Sequence, residues 1–337
     1  MIYIHVPFCR SFCTYCDFYS EIACRGKDTE VIEGWLAGIE AEIRARRDEI
    51  VGTEGVNTLY IGGGTPSVLP LSAFQRIVKA LKDNAVCTDF QEFTVEVNPE
   101  DIVLKGESFV RGLLSLGVNR ISMGVQSLDD ATLRWMNRRH SSDGARKAFE
   151  LLRLCGVKNI SVDVIFGVNG MSDAALESSL NGILAWHPEH ISAYQLSIEE
   201  GSALSSMIRE GRYQEASDEA CRAQYELICR KLKDSGYEHY EISNWALPGY
   251  RAVHNSAYWT RDPYVGLGPG AHSLTGLRRS WNSQNLSGWT SDGETLTDEQ
   301  ISQERLMLGL RTAEGVDGKR ICESDWFIAD SIIADLI

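Results

Sequence analysis

The chain has 337 residues, room for one large domain or one domain with a small appendage, and an ample core. Its 43% hydrophobic and 24% charged content is ordinary for a globular protein, no apolar run approaches the ~18 residues of a membrane span, and a net charge of −14 argues against gripping nucleic acid by its phosphates. Nine cysteines, odd in number and scattered, make no disulfide framework and point to a reducing cytosol, and no basic-then-apolar leader opens the chain.

Strand and helix alternate through about the first two hundred residues. Residues 3–6 read as a strand that runs into a cysteine loop. Residues 30–50 read as a helix with Val31, Trp35, Ile39 and Ile43 four apart on one face. Strands are predicted at 58–61, 93–97, 120–125, 160–166 and 190–196. Helices are predicted between them at 71–82, 108–116, 129–136, 144–155 and 173–186. Six such units with near-continuous apolar strands predict a parallel sheet covered by helices, either an open sheet or a curved partial barrel. The division expected is a first unit over 1–200 and a smaller one over 201–337. In the latter, a helix at 213–233, a strand at 237–243, an aromatic and glycine-rich stretch at 245–289 and a helix at 298–310 are read as a cover for the mouth.

Cys9, Cys13 and Cys16 put three thiolates on one tight loop with C-x3-C-x2-C spacing. Soft thiolates this close are ligands for an iron–sulfur cluster or for zinc. Structural zinc usually takes four ligands in paired C-x2-C knuckles, and there is no second knuckle. A four-iron cubane held by three cysteines leaves one iron open, and that position can chelate the amino and carboxylate groups of S-adenosylmethionine (SAM).

Other polar groups fall at the C-terminal ends of strands, where such sheets place their sites. Gly62-Gly63-Gly64-Thr65-Pro66-Ser67 lets the backbone approach a ligand closely. Glu96, Gln126 and Asp163 lie on three successive strands, where unpaired burial would cost ~1–3 kcal/mol each, so they read as a ring facing one cavity. Carboxylates of this kind suit ribose hydroxyls. Arg138 follows Gln126 by one turn and helix; Arg139 reads as a solvated helix end.

In order along the chain, Tyr3-x-His5-x-Pro-Phe-Cys9, the three cysteines, Gly-Gly-Gly-Thr-Pro, Glu-x-Asn-Pro-Glu, Gly-Val-Gln-Ser, Asn-Arg and Asp-x-Ile-x-Gly resemble the radical SAM family of the oxygen-independent coproporphyrinogen III oxidase (HemN) over nearly the whole sequence. The resemblance implies a partial (β/α)6 TIM-like barrel with a smaller α+β C-terminal region. It implies a [4Fe-4S] cluster on Cys9, Cys13 and Cys16, and a SAM set of Tyr3, Gly63, Gly64, Thr65, Glu96, Gln126, Arg138 and Asp163, which in the oxidase serves two SAM molecules. Two details resemble the heme chaperone branch instead. Phe18 stands where the oxidase has a further cysteine, and His254-Asn-Ser-Ala-Tyr258-Trp259 is similar to that branch's HNxxYW motif. An imidazole can ligate heme iron while two aromatics flank the porphyrin, so His254, Tyr258 and Trp259 are the heme candidates; the bland alternative is a core-edge histidine hydrogen-bonded through Asn255.

The function implied is a cytoplasmic heme chaperone that delivers heme to hemoprotein acceptors, membrane respiratory enzymes among them, with a homodimer as a candidate assembly. The alternative is the oxidase itself, decarboxylating the propionates of coproporphyrinogen III through a SAM-derived radical in porphyrin biosynthesis. His5 reads as a cluster neighbour and His272 as a second heme candidate on a glycine-rich loop. His140, His187, His190 and His239 read as surface or strand positions. Cys24, Cys87, Cys155, Cys221, Cys229 and Cys322 read as buried small residues, with Cys24 close enough in sequence to the cluster loop to interfere in oxidation. Residues 311–317 resemble the start of the family's winged-helix-like segment, which here is short or partly absent from the sequence.

Overall fold

The structure is a computed structural model that describes residues 1–22 and 28–337. Cys24 lies outside the described residues. The chain begins with β1 (Ile2–Val6), and a short parallel pair, β2 (Phe8–Cys9) and β3 (Glu21–Ile22), frames the cysteine loop. Helix α1 (Asp28–Ala45) and the short α2 (Arg47–Gly52) lead to β4 (Thr58–Gly63). Then α3 (Leu71–Asp83), β5 (Glu92–Val97), α4 (Pro99–Ser115), β6 (Arg120–Gln126), α5 (Asp130–Trp135), α6 (Ser142–Leu154), β7 (Ile160–Phe166), α7 (Asp173–Leu184) and β8 (His190–Gln195) follow in turn. The C-terminal part holds α8 (Ala203–Arg209), α9 (Asp218–Asp234), β9 (Glu238–Glu241), β10 (Asn244–Ala246), α10 (Val253–Trp259), β11 (Val265–Leu267), β12 (His272–Thr275), β13 (Arg278–Asn282), β14 (Ser291–Thr295), α11 (Asp298–Gly309) and α12 (Ala329–Ala334).

The main sheet has nine strands in the order β11-β1-β4-β5-β6-β7-β8-β10-β9. The six strands expected from the sequence are its parallel centre. Both edges are supplied by the C-terminal part: β11 pairs parallel with β1, and β10 antiparallel with β8. Alternate strand residues such as Ile4, Leu59, Ile61, Val95, Ile121, Met123 and Val162 are buried in one core with Trp35, Ile39, Ile43, Phe74, Ile77, Leu113, Phe149 and Leu180 from the helices. The residues between them are polar and form a lumen: Thr58, Tyr60, Glu92, Thr94, Glu96, Arg120, Ser122, Ser161, Asp163, His190 and Ser192. Among the described residues, no helix is long and apolar enough to cross a membrane.

Several local expectations are corrected. The single helix over 30–50 is broken at Arg46, whose guanidinium is drawn to Glu42, Glu49 and the carbonyl of Gly266. Val31 is 40% exposed, because only Trp35, Ile39 and Ile43 reach the sheet. The helix expected at 108–116 is the second segment of α4: at Gly106 the backbone leaves helical geometry (φ +69°), and an additional segment, unexpected from the sequence, precedes it from Pro99, capped by Asn98. The helix expected over 213–233 starts at Asp218, where the Ser217 hydroxyl accepts from the Ala220 N–H and two acids fill the first turn. His140 is buried and not at the surface; His190 and His239 lie on β8 and β9 as strand positions, His190 held between Ser161 and Tyr240 and the His239 ring stacked on Trp245 at 4.0 Å. Cys87 and Cys322 are exposed, while Cys155 and Cys221 are buried.

Phe8, fully buried and edge-on to Trp35 at 5.6 Å, anchors the cysteine loop to the core. Phe8→Ala is expected to destabilise the chain by about 3–5 kcal/mol in urea unfolding. A loss under about 1 kcal/mol would show that the loop is not anchored there.

Candidate functional site

The cysteine loop is held from two sides. On one, the Gly64 N–H donates to the Val6 carbonyl at 2.8 Å and the Thr65 N–H to the Phe8 carbonyl at 2.7 Å. A Cβ on Gly64 would stand 2.8 Å from that Phe8 oxygen, so the position needs glycine. On the other, the α5–α6 connection grips the loop: Asn137 Nδ2 donates to the Phe12 carbonyl at 2.7 Å, and Thr14 Oγ1 to the Trp135 carbonyl at 2.8 Å. Cys9 Sγ lies 3.5 Å from Thr65 Oγ1. Arg138 Nη2 donates to the Gly124 carbonyl at 2.7 Å and Nη1 to Cys13 Sγ at 3.4 Å, so a buried guanidinium ties the loop to the sheet.

Cys9, Cys13 and Cys16 line one wall of a cavity of about 590 Å³. Burial pushes the Cys9 thiol up and the Cys16 thiol up to about 11, so these sulfurs favour the protonated form until a cation compensates them. Among the described residues no three His, Cys, Asp or Glu side chains converge as ligands of a single metal ion would. Three thiols that each cap a different iron of a cubane have no need to converge, and the soft donor set on a cavity wall fits a cluster.

Gly63, Gly64, Thr65, Glu96, Gln126, Arg138 and Asp163 line the same cavity. Glu96 Oε2 accepts from the Gly63 N–H at 3.1 Å and Oε1 from the Tyr60 hydroxyl at 2.7 Å. Burial, with Asp163 nearby, pushes Glu96 up to about 7. Asp163 is raised by burial too, and takes the Ser122 hydroxyl at 3.4 Å. Gln126 has φ +66° at a register shift in β6, an uncommon conformation for a non-glycine that re-aims its side chain into the cavity. Tyr3 is set apart from the rest: it is not among the cavity residues, and its hydroxyl bonds His5 Nδ1 at 3.0 Å while His5 Nε2 donates to the Tyr19 carbonyl at 2.8 Å.

The residues expected at a porphyrin lie at the other end of the sheet. Helix α10 plugs the N-terminal ends of the strands, its Val253 and His254 N–H groups capped by Glu92 at 2.8 and 3.1 Å. His254 is 1% exposed. Its Nδ1 shares a hydrogen bond with Thr58 Oγ1 at 2.7 Å and its Nε2 one with the Tyr258 hydroxyl at 3.0 Å, and burial pushes its pKa down to about 3. The Trp259 indole N–H is buried without a partner among the described residues. In this conformation, then, His254, Tyr258 and Trp259 form the barrel floor and do not offer an open face. Asn255, the neighbour, is the motif residue that reaches the cavity. His272 is exposed, 6.4 Å from the Trp281 ring.

Sequence reasoning missed Tyr60, Arg120, Ser122, Ser192 and Tyr194, all on the cavity wall. The available signal was alternation: each is a polar or aromatic residue at an inward position of a predicted strand. It also misjudged Arg139, which is no solvated end but pairs with Glu100 at 2.6 Å and lies 3.6 Å from the buried Asp101. Asp101 in turn meets Arg10 of the cysteine loop at 3.3 Å.

Two carboxyls, Glu96 of the lumen and the buried Glu241 of β9, make a pH prediction. Burial holds both Glu96 and Glu241 up to about 7, against an ordinary value of 4.5. Between these values the folded chain keeps protons that the unfolded chain has lost, so stability falls as pH rises through that window. Glu96→Gln and Glu241→Gln should each flatten the fall in urea midpoint between pH 4.5 and 7. An unchanged slope in both variants would contradict the assignment.

Residues 3–182 match the model of the radical SAM superfamily. The heme chaperone HemW of Bacillus subtilis is 33% identical over 336 residues, covering 95% of this chain and 86% of that protein. The heme chaperone HemW of Mycobacterium tuberculosis is 31% identical, covering 99% of this chain and 87% of that one. Among solved structures, the Escherichia coli radical SAM enzyme coproporphyrinogen III oxidase (HemN) superposes with a TM-score of 0.79 at 21% identity, over 92% of this chain and 75% of that one, a likeness of fold. The chain therefore belongs to the radical SAM superfamily and, within it, to the HemW family.

Proposed function

We propose that this chain is a heme chaperone: it binds heme and hands it to hemoprotein acceptors. Its superfamily implies a [4Fe-4S] cluster and SAM in the same chain. The observation that carries the reading is the relation to HemW along nearly the full length of both proteins. A residue supports it over the oxidase: Phe18, 66% exposed beside the cluster loop, supplies no thiolate where the oxidase has its further cysteine.

In this reading Cys9, Cys13 and Cys16 hold the cluster, which supplies one iron open to SAM. Gly63, Gly64 and Thr65 present backbone to the methionine end, and Glu96, Gln126 and Asp163 take the ribose and neighbouring groups. Arg138 fixes the Cys13 sulfur and neutralises part of the thiolate charge. Tyr3 acts through His5, whose imidazole braces Tyr19 next to the loop. Residues 1–200 form the barrel unit and 201–337 the accessory one. The acceptors include membrane respiratory hemoproteins met from the cytoplasm, and the working assembly is a homodimer.

Heme ligation by His254 requires its Nε2 to leave the Tyr258 hydroxyl. Tyr258→Phe should therefore leave heme affinity equal or higher, while His254→Ala should weaken it about tenfold or more in a Soret titration. Unchanged affinity in His254→Ala would shift the ligand to the exposed His272. Cys13→Ser should lose the iron–sulfur absorbance after anaerobic reconstitution; full iron content with the absorbance retained would refute the ligand assignment.

A further inference from the structure

We propose that Arg120 forms a carboxylate-binding subsite deep in the cavity, and that this subsite takes a propionate of the porphyrin; the proposal rests on the heme reading above. Arg120 opens β6 and pairs with Thr94, which pairs with Tyr60, so it stands at the floor end of the lumen. Gln126, at the opposite end of the same strand, belongs to the cluster side. The Arg120 side chain is 1% exposed and lines the cavity, yet its Nε and Nη1 have no hydrogen-bond partner among the described residues. A fully buried guanidinium with idle donors is one of the least favourable arrangements a core can hold.

The lumen acids do not fill this gap. Arg120 feels the field of Glu92 and Asp163. Glu92 already accepts from the Val253 and His254 N–H groups and the Thr94 hydroxyl. Asp163 accepts from Ser122, and Glu96 from Tyr60 and Gly63. The other three cavity arginines are committed: Arg138 spends its two terminal nitrogens on Gly124 and Cys13, Arg139 pairs with Glu100, and Arg10 meets Asp101. Arg120 thus lines the cavity with Nε and Nη1 unpaired, and either can join Nη2 in a planar fork of two donors. A carboxylate matches that fork with two parallel bonds. Because burial favours the neutral forms of Glu96 and Asp163, the lumen repels an incoming anion less than its formal charges suggest.

Heme carries two such carboxylates on flexible arms, and the carboxylate of SAM is assigned to the open iron at the far end of the strands. Asn255, beside His254 on α10, faces the same cavity, so a porphyrin engaged at the floor would have Arg120 within the same compartment.

The test compares heme with heme dimethyl ester, whose propionates cannot ionise, by Soret titration of the reconstituted protein. Wild type should prefer heme by about tenfold or more. Arg120→Gln should bind the two alike, at the affinity of the wild type for the ester, and Arg120→Lys, which keeps charge but not the fork, should fall between. Iron content and thermal midpoint report on folding in each variant. A wild type with no preference, or an Arg120→Gln or Arg120→Lys protein with the full wild-type preference, would overturn the subsite. A wild type that binds neither porphyrin would sink the heme reading itself, and the subsite with it.

Discussion

A parallel sheet covered by helices buries polar side chains at least cost where they pair with one another, and that constraint organises this molecule. Because the strands run in register, alternate residues all face one lumen: Tyr60 beside Thr94, Glu96 beside Ser122, Asp163 beside Ser192. The other half of each strand is apolar and sealed under Trp35, Phe74, Phe149 and their neighbours. The sheet therefore does two jobs with one sequence pattern, a hydrophobic outer layer for stability and a polar inner one for chemistry.

The two ends of the lumen are then given different tasks. At the C-terminal ends of the strands, the loop of Cys9, Cys13 and Cys16 is clamped between the glycine turn of β4 and the α5–α6 connection. Arg138 joins loop to sheet, and Asp101 sits between Arg10 of the loop and Arg139. At the N-terminal ends, α10 is docked on Glu92 and closes the floor with His254 and Tyr258. The motif that suggested a porphyrin ligand is thus also a piece of the wall. In the proposed function, heme binding is coupled to opening one hydrogen bond of that wall.

How much of this was legible in the sequence follows from what each signal measures. Periodicity locates helices and strands well, and Trp35, Ile39 and Ile43 reach the core as expected, but it does not say where a periodic face runs past the sheet, as at Val31. The spacing of the three cysteines marked the loop as a metal or cluster site, and the structure sets all three on one cavity wall. Glu96, Gln126 and Asp163 were visible as polar breaks inside apolar strands. Arg120 was not, since a charge at the first residue of a strand looks like an exposed end. The burial of His254 was hidden for a related reason. Its aromatic neighbours are visible in the sequence, but the direction of its ring is set by Thr58, which is 196 positions away. His190, a strand position as expected, is likewise buried by a partner 50 residues away, the Tyr240 hydroxyl.

The most direct test of the account is anaerobic incubation of the reconstituted protein with SAM, a reductant and coproporphyrinogen III, with products read by mass spectrometry beside an oxidase control. The account predicts intact coproporphyrinogen under conditions where the control turns over. Protoporphyrinogen formed together with 5′-deoxyadenosine would make the chain an oxidase, despite Phe18, and contradict the assignment of heme delivery.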